Sequence, residues 1–191
     1  MRTLKIISVV FFLLLGLQSI NAQIFELDTK KSTLLWTGKA AFNSYFLKGT
    51  ITAKQGTITI NDTVISNLNI TINMKSLDHE NNDLKNHLKN EDFFEVKKYP
   101  KALFALEKTT KIENHKAILQ GKLTIKGKTN LERIPVNIEH HDSGIIITFN
   151  HTIDRTKYGV NHNSPSIFKR MKENAIADEF ILEGKLKFDS H

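Results

Sequence analysis

The feature that most constrains this chain is an alternation of apolar and polar residues with a period of two, running from Leu34 almost to the C-terminus. Leu34, Trp36, Gly38 and Ala40 alternate with Leu35, Thr37 and Lys39. Leu68, Ile70, Ile72 and Met74 alternate with Asn67, Asn69, Thr71 and Asn73. Ile134, Val136 and Ile138 do so with Pro135 and Asn137, and Phe180, Leu182, Gly184, Leu186 and Phe188 with Ile181, Glu183, Lys185 and Lys187. Successive side chains of a strand point to opposite faces, so the pattern predicts half-buried strands in an antiparallel sheet. Short turn signals separate them at Gln55-Gly56, Asn61-Asp62, Glu113-Asn114, Lys126-Gly127 and Asp142-Ser143-Gly144. About eight regularly spaced strands fit a barrel or a sandwich. Two of them, 115–126 and 128–140, run about a dozen residues, where about 5–6 is usual. Long strands favour a closed barrel, because closure removes exposed edges. The space inside is either filled by side chains or open to one ligand.

Two stretches break the alternation. Residues 78–90 read as a short polar helix, with Leu84 and Leu88 one turn apart on one face. Residues 161–172 contain Ser164-Pro165, which predicts a shorter helix over 165–172 with proline in its first turn.

The first 22 residues lie outside this pattern. Arg2 and Lys5 precede an apolar run over 6–17, and Ile20-Asn21-Ala22 ends in a small residue fit for cleavage. That is the pattern of a secretory signal peptide, and the run is shorter than the roughly 20 residues a membrane span needs. The expected arrangement is a signal peptide over 1–22 and one β-barrel domain over 23–191. The chain has no cysteine, so neither a disulfide nor a lipobox acylation is possible. The expected location is therefore periplasmic or secreted. Loss of Arg2 and Lys5 takes the formal charge from +7 to +5, without a long Lys/Arg block. Nucleic-acid binding, which needs a clustered basic face, is not expected. A mild positive field suits anionic headgroups or ligands, and equally simple solubility.

No catalytic set emerges. Ser164-Pro165-Ser166 lacks the glycine-flanked nucleophile elbow. The carboxylate pairs Glu91-Asp92 and Asp178-Glu179 are adjacent, and adjacent strand residues face opposite ways. His140, His141 and His151 approach one another only in a badly skewed hairpin, whereas zinc wants three or four convergent ligands. No metal site, cofactor or enzymatic activity is expected. Residues 84–100, LKNHLKNEDFFEVKKYP, place Phe93 and Phe94 after the helix. Two adjacent aromatics among charges either plug an apolar interior or gate a ligand cavity. His87, beside Leu88, reads as a hydrogen bond from helix to strand or as a polar contact to a ligand. Asp154-Arg155 reads as a partly buried structural pair near a barrel end. Arg155 also has the donor fork suited to an anionic ligand head.

Taken in order, these segments resemble the YceI-like family of lipocalin-like, polyisoprenoid-binding proteins. The resemblance begins at Trp36-Thr37-Gly38-Lys39 and continues through Ser76-Leu77, the run from His87-Leu88 to Phe93-Phe94-Glu95-Val96, and Tyr99-Pro100 leading to Phe104. It extends to Gly121-Lys122-Leu123-Thr124-Ile125-Lys126-Gly127, Ile134-Pro135-Val136, Ile153-Asp154-Arg155 and Tyr158-Gly159-Val160. It implies an eight-stranded antiparallel barrel with one or two short helices and an elongated apolar pocket holding an isoprenoid or fatty amphiphile. It also implies export to the periplasm. The chain departs from the family at Leu47-Lys48-Gly49, where many members have His-x-Gly, and at Lys85-Asn86, where many have Arg or Asp before the His-Leu pair.

The leading expectation is thus an exported binding protein for a long apolar chain, serving transport, storage or sequestration. Candidate pocket residues are Trp36, Leu47, Ile51, Leu68, Ile70, Ile72, Phe93, Phe94, Phe104, Leu119, Leu123, Ile147 and Phe149, any of which would serve equally in an ordinary core. His87 and Arg155 are the polar head-group candidates. Transient membrane contact and a monomeric or homodimeric state accompany this reading. The alternative is an envelope stress or interaction protein with a solid barrel as scaffold, presenting Lys97-Lys98 and Asn161-His162-Asn163. An enzyme acting on an apolar substrate through His87 and Arg155 would lack a convergent acid/base set.

Overall fold

The alternation closes on itself. The structure, a computed structural model, describes residues 22–169 and 174–190. Its strands are β1 (Gln23–Leu27), β2 (Thr33–Ala40), β3 (Phe46–Asn61), β4 (Val64–Asp78), β5 (Lys101–Leu106), β6 (Thr110–Lys111), β7 (Lys116–Ile125), β8 (Lys128–His141), β9 (Gly144–Asp154) and β10 (Ile176–Ser190). One helix, α1 (Asn82–Lys89), follows β4, and a 3-10 turn (Arg155–Tyr158) follows β9. Among the described residues, β3, β2, β10, β9, β8, β7, β5 and β4 pair antiparallel in that order, and the β3–β4 pairing closes an eight-stranded barrel. β1 and β2 share one stave. β2 pairs with the start of β3 and most of β10, while β1 takes the remaining ends, Phe25 opposite Ser190 and Ile58. β6 adds two residues beside β4.

The turn signals are realised at residues that tolerate positive φ. Asp62, Asn114, His115, Lys126 and Gly127 all adopt it. Gln55-Gly56 does not form the expected turn. β3 runs straight through as a 16-residue strand, and its register against β4 shifts between Ala53 and Gln55. The Gln-Gly signal is a bulge that bends the strand around the barrel. A side chain on Gly56 would press on Leu27 of β1.

The helix is shorter than expected, because Asp78 still belongs to β4. Asn81 caps it, its Oδ1 accepting from the Asp83 and Leu84 amides at 2.9 and 3.0 Å. The second expected helix is absent over 165–169, and 170–172 lie outside the described residues, as do 1–21 of the expected leader. What forms is a single turn, with the Phe168 amide donating to the Ser164 carbonyl at 2.8 Å.

All hairpin connections divide between two ends. One end carries the β3–β4 and β8–β9 turns, β6 and the start of β7. The other carries the β2–β3 loop, α1 with the segment to β5, the β7–β8 turn and the segment 155–175. The interior is densely filled towards the first end. Ile58, Ile65, Leu68, Ile138 and Phe188 there are wholly inaccessible.

Candidate functional site

The half of the barrel nearest the second end is hollow. A cavity of about 510 Å³ lies inside it, within the range of roughly 300–1,000 Å³ usual for ligand pockets. Its wall is built by inward residues of β2, β3, β4, β7, β9 and β10, among them Leu34, Trp36, Leu47, Ile72, Leu123 and Leu182. α1 contributes Leu84, His87 and Leu88. The lining residues that face solvent are Lys39, Phe42, Asn43, Tyr45, Asn174 and Glu179, so the mouth opens between the β2–β3 loop and the start of β10.

Trp36 forms a broad part of this wall because its cross-strand neighbour is Gly49. A Cβ there would meet the indole ring and the Asp78 carbonyl. The ring also lies beside His79, centroids 5.8 Å apart, and its Nε1 is buried without an acceptor among the described residues. Leu47 makes this side of the cavity apolar.

The roof is a cluster around Phe93. The ring of Phe93 is nearly inaccessible and stands 5.2 Å from both His87 and His162, 6.2 Å from Phe94 and 5.9 Å from the Arg155 guanidinium carbon. Phe94, half-buried, meets Phe180 of β10 edge-on at 6.4 Å. The segment after α1 wraps tightly because Glu95 takes positive φ and its amide donates to the Asn90 carbonyl, while the Phe94 amide donates to Leu88. His87 Nε2 and His162 Nε2 are 3.3 Å apart, so the helix is tied to the 161–163 loop and not to a strand. Burial lowers the His162 pKa, as do the neighbouring His87 and Arg155, against a weaker pull from Asp92.

Arg155 is the anchor of this end. Its Nε donates to the Ala177 carbonyl at 2.9 Å, Nη1 to Val160 at 2.6 Å and Nη2 to Ile176 at 2.9 Å. The ion partner is Asp178, at 3.9 Å, and not the adjacent Asp154. Asp154 instead caps the 3-10 turn, accepting from the Thr156 amide and hydroxyl. Burial pushes the guanidinium below its usual range, and Asp178 and Asp154 partly offset this. Asp178 is raised by burial and lowered further by Ser164, Ser166 and Arg155, ending below the usual carboxylate value.

A second polar group lies where the β8–β9 ladder stops at Val136–Phe149. Glu132 accepts from the Tyr158 hydroxyl at 2.7 Å and meets His151 Nε2 at 3.0 Å, bridging the strands by side chains. Burial, then the Glu132 contact, raises the Tyr158 pKa strongly. His151 is thus remote in role from His140 and His141, which pair with Ile145 and Gly144 at the far turn. Among the described residues no group of three His, Asp or Glu could hold a metal.

Of the residues singled out from the sequence, Trp36, Leu47, Ile51, Ile72, Phe93, Phe94 and Leu123 line the cavity, as do His87 and Arg155. Leu68, Phe104, Leu119 and Ile147 point inward but belong to the filled half, with Ile70 and Phe149 packed against them. The ring of Phe149 fills the space above Gly184, its partner across β9–β10. The sequence reading missed Phe42, Tyr45, Ala175 and His162, which come from loops where no period applies. The one signal available was the aromatic cluster Phe42-Asn43-Ser44-Tyr45-Phe46 in a polar turn.

The YceI-like domain profile matches residues 25–188. A UPF0312 protein of Staphylococcus aureus is 35% identical over 113 residues, an alignment covering 54% of this chain and 62% of that relative. The crystal structure of Burkholderia cenocepacia BcnA superposes with a TM-score of 0.69 at 22% identity, covering 84% of this chain and 98% of that one. A polyisoprenoid binding domain from Saccharophagus degradans, implicated in plant cell wall breakdown, gives 0.67 at 11% identity, covering 90% and 100%. At these identities the two structures speak for the fold.

Proposed function

The chain belongs to the YceI-like family, whose barrel is a binding fold, and on that premise we propose that it is an exported protein holding a long apolar chain, a polyisoprenoid or similar amphiphile, inside the barrel. The observation that carries this reading is the hollow, apolar half-barrel of about 510 Å³ at the end that carries the long loops. A scaffold protein would have its interior packed throughout. Each buried methylene contributes roughly 0.8 kcal/mol, so a long chain needs few polar contacts to bind tightly. The polar groups support the same orientation. Lys39, Asn43, Asn174 and Glu179 sit at the mouth, where a ligand head would rest. Arg155 is less suited to that head, since its three nitrogens each hold a carbonyl.

Native mass spectrometry of the protein isolated from its envelope fraction tests the reading. A co-purifying lipid, or uptake of an offered long-chain prenol, is expected. A protein with neither overturns it. Export is tested separately. N-terminal sequencing of the mature protein should begin at Gln23, and a chain retained in the cytoplasm with Met1 intact would refute it.

A further inference from the structure

Large apolar side chains left in water are unevenly placed on this barrel. Ile24, Leu35, Leu103, Ile118 and Leu131 are exposed singly on five different strands. Phe42, Tyr45, Phe46, Ile167 and Phe168, each 48–65% exposed, sit on just two neighbouring segments. Those segments are joined. The Ala41 amide donates to the Ala175 carbonyl, and the Ile176 amide to that of Asn163, both at 2.9 Å. The turn bearing Ile167 and Phe168 is fixed to β10 by the Ser164 hydroxyl, 2.5 Å from Asp178 Oδ1. Phe42 and Tyr45 also line the cavity, so this group borders its mouth. Exposed apolar residues scattered singly need no explanation, but five gathered on two hydrogen-bonded segments at one end do.

Basic residues accompany the aromatics. Lys39 faces solvent at the mouth, Lys48 holds its Nζ 5.4 Å from the centroid of Phe46, and Lys169 follows Phe168. Among the described residues, Glu179 is the acidic group of the lining. Aromatic rings with adjacent lysines are the composition of surfaces that sit at the bilayer interface, rings among acyl boundaries and ammonium groups at phosphates. Two copies meeting through this rim would instead bring their lysines together.

We propose that this rim docks on an anionic lipid bilayer. Phe42, Tyr45, Phe46, Ile167 and Phe168 enter the headgroup boundary, Lys39 and Lys48 meet lipid phosphates, and the cavity mouth faces the membrane. The docking stands on the rim alone. Its purpose, transfer of an apolar chain from bilayer to cavity without passage through water, rests on the function proposed above.

Co-sedimentation of the full mature chain with phosphatidylglycerol/phosphatidylethanolamine vesicles tests this. Phe46 and Phe168 lie outside the cavity wall and are exposed, so the F46S/F168S protein should fold and still load prenol from solution. Its vesicle partitioning should fall at least about tenfold. Lys48→Gln should weaken binding about fivefold and flatten its salt dependence, whereas pure phosphatidylcholine should bind poorly. A wild-type chain that ignores anionic vesicles overturns the proposal, as does unchanged partitioning of F46S/F168S or a rim-dependent dimer seen by light scattering in place of vesicle binding. Prenol uptake without vesicle binding refutes docking alone. Vesicle binding without prenol uptake upholds docking and refutes the cavity reading.

Discussion

The two ends of the barrel are built from the same strands by different means. At the turn-closed end, β1 lies against β3 and β10, and Ile58, Ile65, Leu68, Ile138 and Phe188 exclude all solvent. Stability there comes from interdigitated apolar side chains at close packing. At the open end the same inward positions of the staves carry Trp36, Leu47 and Ile72 around an empty volume. That end is held by hydrogen bonds to backbone, with Arg155 at their centre and the nearly inaccessible ring of Phe93 in the roof. A barrel divided in this way can hold its shape with one half and yield with the other, since regions of few apolar contacts open at low cost.

The largest expected effect tests whether hydrogen bonds hold the open end. Arg155→Met should cost about 3–5 kcal/mol, because it strands Asp178 and three carbonyls. Urea unfolding measures this. Arg155→Lys should keep most of the loss, since one ammonium cannot span Ala177, Val160 and Ile176 as the planar fork does. If Arg155→Lys preserved stability and abolished ligand binding, the arginine would be a head-group contact and the division described above would fail.

A matched pair sharpens the packing side of the contrast. Leu68→Ala removes a wholly buried side chain from the filled half and should cost about 3–5 kcal/mol. Leu47→Ala removes the same atoms from a cavity wall that already lacks neighbours on one side, and should cost about 1 kcal/mol in the empty protein. Equal losses in thermal unfolding would show the two halves to be packed alike. Prenol should narrow the stability of wild type over Leu68→Ala very little and widen that over Leu47→Ala.

The contrast also explains what the sequence revealed. The period of two identified the strands, and the inward face was right along β4, β8 and β10 because alternation depends only on the local pleat. Depth along the stave has no such signature. Leu68 and Ile72 sit on one face of β4, four residues apart, yet the first is core and the second cavity wall. That distinction follows from where β1 fills in below β2 and from which end carries long loops. The Gln55-Gly56 bulge resembled a turn because glycine serves both. The polar partnerships were the least legible. Arg155 meets Asp178 and His87 meets His162 across 23 and 75 residues, whereas the adjacent Asp154 turns to its own 3-10 cap.

The next test concerns how the open end yields. Phe94 is half-buried, so Phe94→Ala should cost about 1–2 kcal/mol, less than a fully buried ring. It should nonetheless speed release of a bound fluorescent prenol, since Phe94 and Phe180 close the wall near the mouth. Release rates unchanged in folded Phe93→Ala and Phe94→Ala proteins would place the exit on the side of the β2–β3 loop alone.

The smallest effect expected is on pH. His162 is faced by His87 from α1, by Asp92 beyond the helix and by Arg155 from the 3-10 turn. Its pKa is lowered in the folded protein, first by burial and then by His87 and Arg155. The unfolded chain therefore takes up the proton first, at about pH 6.5, and the folded chain only at lower pH. Stability associated with this group is complete above about pH 6.5 and declines as pH falls from there through the lowered folded value. Asp178 acts in the same direction but in a separate window, below the usual carboxylate range, because its pKa is also held down. The melting temperature should thus show a modest first decline as pH falls below about 6.5, with a further acid step in the carboxylate range. The first decline belongs to the open end. His162→Gln keeps a polar partner for His87 without a titrating ring, so it should flatten that decline and leave the acid step in place. A pH profile that His162→Gln does not change would mean that the protonation felt by the barrel lies elsewhere.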